Sequence, residues 1–149
     1  MEGERIEYKA GWNPDAILRT LCAFANDFEN LGGGYVVIGQ DCNANGQTLF
    51  PPMGLADNQL DKIQQELLAA CQLIQPALFP VLSVELIEGR KPIVPWAPSG
   101  KNRPYRAPAS VIAKQKSWHY YINDSTRATQ QSVAAPPSDR HRPALVAGQ

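Results

Sequence analysis

The sequence predicts an α+β protein in which a mixed β-sheet is covered on one face by two main helices. Apolar residues recur at helical spacing in two segments, and several shorter segments alternate or run apolar as strands do. Their order, β-α-β-β-α-β-β-β, is typical of an α+β sheet. A chain of 149 residues can bury one such core without disulfides.

The first elements are a short strand and a capped helix. Residues 4–9 alternate between apolar and charged side chains, which predicts a half-exposed strand. Asn13 followed by Pro14 is typical of a helix start, and an apolar stripe runs from there to Ala25. We expect the helix to stop at the glycines 32–34.

The glycines lead into the most apolar strand of the chain. Tyr35–Ile38 is apolar at every position, which predicts a strand buried on both faces. Glycines of a phosphate-binding loop follow a strand and precede a helix, and here the order is reversed, so we interpret them as a turn. An Asn-Gly pair within 41–47 predicts a hairpin with 48–50 as its second strand.

The second half holds the other helix and three strands. The helix begins at Asp57 or Asn58, and its expected buried stripe comprises Leu60, Ile63, Leu67, Leu68, Cys71 and Ile74. Strands are expected at 81–88, at 91–96 and at 117–122. Pro92 and Pro95 predict an edge position for the middle one. We expect a domain over 1–130 and a disordered tail over 131–149.

Cysteine usage and hydropathy indicate a cytoplasmic protein. The 3 cysteines are odd in number and lack CxxC spacing, which favours buried thiols in a reducing compartment over zinc ligands. The sequence contains no apolar run long enough to cross a membrane and no secretory signal, so we expect no membrane partner.

Charge is distributed unevenly. Residues 1–89 hold 4 Lys and Arg against 12 Asp and Glu, whereas residues 90–127 hold 8 Lys and Arg against 1 acidic residue. This asymmetry indicates an anionic partner for the second part, or association between oppositely charged faces. Solvated surface charge is the alternative interpretation.

Two groups of residues could carry function. Glu2, Glu4 and Glu7 lie near the first strand and Asp41 follows the glycine-turn strand, so neighbouring strands would bring carboxylates together as ligands for a hard divalent metal. Exposed strand charges and an ordinary turn Asp41 are the alternative. The second group combines cations with aromatic rings that could contact phosphates and stack on bases. Its members are Lys101, Arg103, Tyr105, Arg106, Lys114, Lys116, Trp118, His119, Tyr120 and Tyr121.

Four motifs in this order resemble one family. They are Glu2 with IEYK at 6–9, LCAFAND at 21–27, LGGGYVVIGQD at 31–41 and SWHYYI at 117–122. The combination resembles the Schlafen-type, AlbA-like DNA-binding domain family, which occurs in bacterial proteins labelled as transcriptional regulators or divergent AAA-type proteins. The chain departs from the family pattern at Gln40, and Asn123 and Asp124 stand where the family has Arg and its linker; Arg127 is a possible substitute.

The resemblance implies an α/β domain related to nucleic-acid-binding Alba proteins, often dimeric. It also implies that Glu2, Glu7 and Asp41 match the acidic nuclease site of some Schlafen proteins. Our first hypothesis is therefore a DNA-binding domain of a transcriptional regulator, a homodimer without a cofactor, with DNA favoured over RNA. The contacts are expected from Lys101, Arg103, Arg106, Lys114, Lys116, Trp118, Tyr120 and Arg127. The alternatives are a Mg²⁺- or Mn²⁺-dependent endoribonuclease and a dimerisation module without nucleic-acid binding.

Overall fold

A computed structural model describes residues 5–28, 31–123 and 130–133, the last four as backbone only. Their elements in chain order are β1 (Ile6–Lys9), α1 (Pro14–Ala25), β2 (Gly34–Ile38), α2 (Asp57–Cys71), β3 (Val81–Val84), β4 (Ile93–Ala97), β5 (Ala107–Pro108), β6 (Trp118–Asn123) and β7 (Gln130–Val133). Neither helix in these ranges is long and apolar enough to cross a membrane.

The strands form two sheets with α1 between them. The first sheet has the order β1-β2-β4-β3, with β1 parallel to β2 and the other pairs antiparallel. The second is the antiparallel sheet β5-β6-β7. Helix α1 packs against strands of both sheets and against α2. The expected α+β class with a mixed sheet is confirmed, whereas the second sheet does not follow from the sequence patterns.

Helix α1 begins as its sequence predicts. Pro14 occupies the first turn, and the Asn13 side chain accepts a hydrogen bond from the backbone N–H of Ala16 at 3.5 Å. Every residue from Thr20 to Ala25 is buried. Burial on nearly all sides is what a helix between two sheets requires, and it makes α1 the centre of the core.

The glycines between α1 and β2 form a turn whose geometry excludes side chains. Gly33 has φ +77°, and a Cβ there would lie 1.8 Å from the carbonyl oxygen of Ala97. A Cβ on Gly34 would lie 2.5 Å from the Phe24 ring. The glycines therefore let the chain turn closely against β4 and α1, and the phosphate-loop alternative is not needed.

Two expectations about the first sheet are wrong. Strand β2 is not buried on both faces, because Gly34, Val36 and Ile38 are buried while Tyr35 on the other face is 44 % exposed. Strand β4 is not at an edge, because it lies between β2 and β3. The sheet accommodates Pro95, which lacks an N–H, since β4 pairs with β2 at Ala97, Trp96 and Ile93 but not at Pro95 or Val94.

The structure also differs from the expected elements in smaller ways. Residues 48–50 form no strand in the described chain, and a single bridge joins Cys42 to Thr48 around the expected turn. Leu68, expected in the buried stripe of α2, is exposed. The strand expected over 81–88 ends at Val84. Strand β5 lies between the strands expected at 91–96 and 117–122, at residues for which the sequence predicts no strand, and β7 includes three residues of the expected tail. The rest of that tail lies outside the described residues.

A buried asparagine joins α1 to both neighbouring parts of the fold. The Asn26 side-chain nitrogen donates to the carbonyl oxygens of Tyr105 and Tyr121, both at 2.8 Å, and its oxygen accepts from the Tyr105 N–H at 2.6 Å. Its backbone N–H caps the helix by donating to Cys22. This one side chain thus fixes the loop before β5 and strand β6 against the end of α1.

Candidate nucleic-acid interface

The most organised cation of the basic segment is Arg106. Its guanidinium lies over the Trp118 ring, 4.8 Å from the centroid, within cation–π range. Its Nε and Nη2 donate to the side-chain oxygen of Gln75 at 3.0 and 2.7 Å. Because Gln75 is neutral, the side chain is positioned while its positive charge is left uncompensated by that partner.

The backbone around Arg106 is equally well fixed. Arg106 and Gln75 exchange two backbone hydrogen bonds of 2.9 Å, which tie the segment leading into β5 to the residues that follow α2. Further back, the Gly100 N–H donates to the Ala25 carbonyl oxygen at 3.0 Å. The loop that carries the basic residues is therefore anchored on the end of α1.

Lys101 and Lys114 are exposed cations on this segment. In the part of the chain that the structure describes, neither makes an ion pair within 4 Å. Such ammonium groups can contact phosphates without first breaking an internal interaction.

Arg103 and Lys116 point into the protein instead. Arg103 donates to the Asp27 carbonyl oxygen and, at 2.9 Å, to the Ser99 hydroxyl. The Lys116 ammonium donates to the carbonyl oxygens of Val111 and Ala113 at 3.0 and 2.8 Å. Both cations stabilise loop conformation, which reduces what they can offer to a ligand. Arg127 lies outside the described residues.

Strand β6 places its aromatic side chains on two faces. Tyr121 is buried, and burial raises the pKa of its phenol while the nearby Arg19 acts in the opposite direction. Trp118 and Tyr120 alternate with it and are half-buried, so ring surface remains accessible beside Arg106. His119 packs 5.5 Å from the Tyr121 ring and lies 2.9 Å from the Ser117 hydroxyl.

The acidic residues do not share this surface. Glu7 lies on the face of β1 that is turned toward α1, where its carboxylate accepts a hydrogen bond from the Thr20 hydroxyl and pairs with the Lys9 ammonium at 3.5 Å. Only 14 % of its side chain is exposed. The charged face of β1 is therefore inward and Ile6 faces out, so local alternation alone did not indicate which face would be covered.

Asp41 lies beyond the end of β2, in a segment fixed by Gln40. The buried Gln40 amide donates to the carbonyl oxygens of Asp41 and Leu49 at 3.0 and 2.7 Å. In the pairing of β1 with β2, Glu7 lies opposite Val36, which precedes Asp41 by five residues. Glu2 lies outside the described residues, and within them no three His, Cys, Asp or Glu side chains gather as metal ligands. Those residues alone do not make up a divalent-metal site.

A model of one family, Schlafen, AlbA_2, matches residues 2–130. The chain belongs to this family. The family match confirms the resemblance seen in the motifs. In the structure, two of these motifs are in contact, because Asn26 of the AFAN segment donates to the carbonyl oxygen of Tyr121 in SWHYYI. None of the curated proteins matches the chain significantly.

Two solved structures are similar to this family member. One is the N-terminal domain of a protein related to the ATP-dependent DNA helicase RecG from Nitrosomonas europaea, at 30 % identity and TM-score 0.52 over 66 % of this chain and 65 % of that one. The other is the DIP2311 protein of Corynebacterium diphtheriae, at 15 % identity and TM-score 0.54, over 87 % of this chain and 25 % of that one. The second likeness concerns the fold alone.

Sequence reasoning misses two residues that organise the surface. Nothing in the sequence singles out Gln75, which lies beyond the end of α2, although it holds Arg106 through hydrogen bonds of both side chain and backbone. Asn26 stands out only as part of a motif. The partners of Asn26 lie 79 and 95 residues away, and those of Gln75 lie 31 away, so local patterns carry no signal for them.

Proposed function

We propose that this domain binds nucleic acid, with DNA favoured over RNA, as part of a cytoplasmic transcriptional regulator that acts as a homodimer. The observation that carries the proposal is Arg106, a positioned guanidinium on the Trp118 ring with a neutral partner. Lys101 and Lys114 add exposed charge on the same segment, and Tyr120 adds a second ring. Cations beside accessible aromatic rings suit a phosphate backbone with stacked bases.

The comparisons with known proteins also support nucleic-acid binding. The family description, Schlafen, AlbA_2, includes the name AlbA, and one similar structure comes from a protein related to a DNA helicase. The chain matches 65 % of that domain, so the activity of the parent protein is not carried over. Binding is the part of the proposal that the residues described above can support by themselves.

The test is an anisotropy titration of fluorescent single-stranded and duplex oligonucleotides at two salt concentrations. Three phosphate contacts from Lys101, Arg106 and Lys114 predict a log–log salt slope of about −2.7 for duplex DNA and about −2.1 for a single strand. The dissociation constant should then rise about 20- to 40-fold between 50 and 200 mM salt. Binding that does not weaken over this range refutes the electrostatic contacts.

Single substitutions locate the contacts. Lys114→Ala should reduce the magnitude of the salt slope by about 0.9 on duplex DNA, because it removes one phosphate contact. Trp118→Ala should weaken single-strand binding by about 1–3 kcal/mol through lost stacking. Lys62→Ala is the matched control, since Lys62 is an exposed lysine on α2. An effect of Lys62→Ala equal to that of Lys114→Ala would indicate nonspecific charge attraction only.

Metal-dependent RNA cleavage is the second candidate, with Glu2, Glu7 and Asp41 as the proposed ligands of Mg²⁺ or Mn²⁺. The observation in its favour is the nearly enclosed Glu7 carboxylate, whose orientation is set by Thr20. Structured RNA incubated with Mn²⁺ should be cleaved by the wild-type protein and spared by Glu7→Gln and by Asp41→Asn. Cleavage that survives both substitutions rules out this site, and Glu66→Gln, on exposed helix surface, controls for general charge loss.

A further inference from the structure

On one face of the first sheet, every strand residue that the structure describes is exposed or half-buried. Helix α1 packs on one side, where Val36, Ile38 and Ile93 are buried. On the other side a row of paired residues crosses all four strands in the order Ile6, Tyr35, Trp96 and Val81. Ile6, Tyr35 and Val81 are 38, 44 and 55 % exposed. We call this surface the outer sheet face.

The two central rows of the outer sheet face are uncharged, and Glu85, whose carboxylate accepts a hydrogen bond from the Ser83 hydroxyl at 3.3 Å, lies at one end of the face. The next row on the same side consists of Tyr8, Val37, Val94 and Ser83, as the strand registers require. The charged side chains of β1, Glu7 and Lys9, lie on the opposite face. A face without cations is poorly suited to phosphates, and an exposed apolar patch of this kind marks a protein interface.

The aromatic centre of the face is preorganised. Tyr35 and Trp96 stack with their ring centroids 6.1 Å apart and their planes 21° from parallel. The Trp96 indole N–H donates to the Gly32 carbonyl oxygen at 3.0 Å, which fixes the ring before any partner binds. Fixed aromatic side chains lose little conformational entropy on association, and they are common at the centre of interfaces.

The composition of the row selects the partner. Read from either end, the row is aliphatic, aromatic, aromatic, aliphatic. A second copy turned by a twofold axis would therefore place aliphatic side chains on aliphatic ones and rings on rings, with Ile6 of each copy opposite Val81 of the other. A twofold interface must be complementary to itself, and this row meets that condition. The second row is not symmetric, but the same axis places Tyr8 on Ser83 and Val37 on Val94, which are all uncharged. The chain also has a net charge of zero, so two copies do not repel.

We infer that the outer sheet face is the interface between two copies of this chain, packed sheet against sheet. The inference rests on the homodimer proposed above and names its surface. Four strands about 4.8 Å apart, with four to five residues each, give a projected area of about 300 Å² per copy. This is well below the roughly 800 Å² per partner of a standard interface, so the dimer should be weak, with a dissociation constant on the order of 100 μM. Because the contact is apolar, the dimer should persist at high salt.

The test uses a pair of complementary charges. In a homodimer of either variant, Ile6→Lys or Val81→Glu, two introduced charges lie against apolar side chains. The dissociation constant of the dimer should therefore rise about tenfold or more, and each variant should sediment as a monomer. Mixed in equal amounts, the two variants should recover dimers, because the introduced lysine of one copy meets the introduced glutamate of the other. The double variant in one chain should also dimerise. Ile112→Glu, at a side chain 88 % exposed outside the sheet, is the control and should not change the association.

Each result decides the matter. A wild-type chain that stays monomeric at several hundred micromolar refutes both the homodimer and its surface, and leaves nucleic-acid binding untouched. A dimer that ignores both single substitutions refutes the surface alone. Monomeric variants that fail to recover on mixing refute the twofold, face-to-face arrangement, provided that circular dichroism shows both variants folded.

Discussion

Replacing Asn26 by Ala should be among the most damaging single changes to this fold. The side chain is buried and makes three hydrogen bonds to backbone groups, of which two belong to Tyr105 and one to Tyr121. Alanine would leave one N–H and two carbonyl groups without that partner. Each buried group left unsatisfied costs about 1–3 kcal/mol. The Cys22 thiol also donates to the Tyr105 oxygen and keeps that group partly satisfied, so the free energy of unfolding should fall by about 3–5 kcal/mol in total.

The assay is urea unfolding followed by circular dichroism. With a typical m-value of about 2 kcal/mol/M, the midpoint should fall by about 2 M. Asn43→Ala is a matched control, because Asn43 also makes three side-chain hydrogen bonds, to Asn45 and Gln47, but in an exposed turn. Its replacement should cost about 1 kcal/mol or less, since water takes over the released groups. Equal losses for the two variants would refute the importance of burial at Asn26.

The same substitution should affect binding. Asn26 connects α1 to the loop that leads to Arg106 and to the strand that carries Trp118. If Asn26→Ala remains folded at low temperature, its oligonucleotide affinity should fall even though Asn26 itself is buried. Unchanged affinity in a folded variant would mean that nucleic-acid binding does not depend on the hydrogen bonds of Asn26.

Two further predictions concern the core. Gly33→Ala should destabilise the protein by about 3 kcal/mol or more in the urea assay, because a Cβ would overlap backbone at positive φ, whereas Gly11→Ala, in open space, should be nearly neutral. Burial raises the pKa of Cys22 and of Cys71 to about 12, so at pH 8 iodoacetamide should modify only Cys42 in the folded protein and all three thiols in urea. Since the unfolded thiols ionise near pH 9 and the folded ones do not, stability should fall as pH rises above about 9; constant stability to pH 11 would contradict this burial.

Local signals predicted the elements with strong sequence patterns. The Asn13–Pro14 start of α1, the glycine turn and strand β6 follow from capping, backbone freedom and β-propensity, all of which act between near neighbours. The apolar run of β2 also predicted that both faces of this strand would be buried. That prediction is wrong for the single chain, and a second copy on Tyr35 would account for it.

Properties that depend on distant partners could not be predicted. Pro95 indicated an edge strand, but the pairing of β4 with β2 has no pairs at Pro95 and Val94, so a central strand accommodates the proline. Glu7 and Ile6 alternate as expected, yet which of them faces inward depends on the side on which α1 packs, where the Thr20 hydroxyl donates to Glu7. Arg103 and Arg106 are equivalent in the sequence, and only the folded loop turns one inward and places the other on Trp118.

The most direct test of the proposed nucleic-acid interface is an NMR titration with oligonucleotide that follows the indole N–H signals of the 3 tryptophans. Trp118 lies under Arg106, Trp12 donates to Glu66 at 2.7 Å, and Trp96 lies on the outer sheet face. The indole signal of Trp118 should shift on addition of the oligonucleotide, while those of Trp12 and Trp96 stay in place. A shift at Trp96 or Trp12 with Trp118 unmoved would contradict nucleic-acid binding at Arg106 and Trp118.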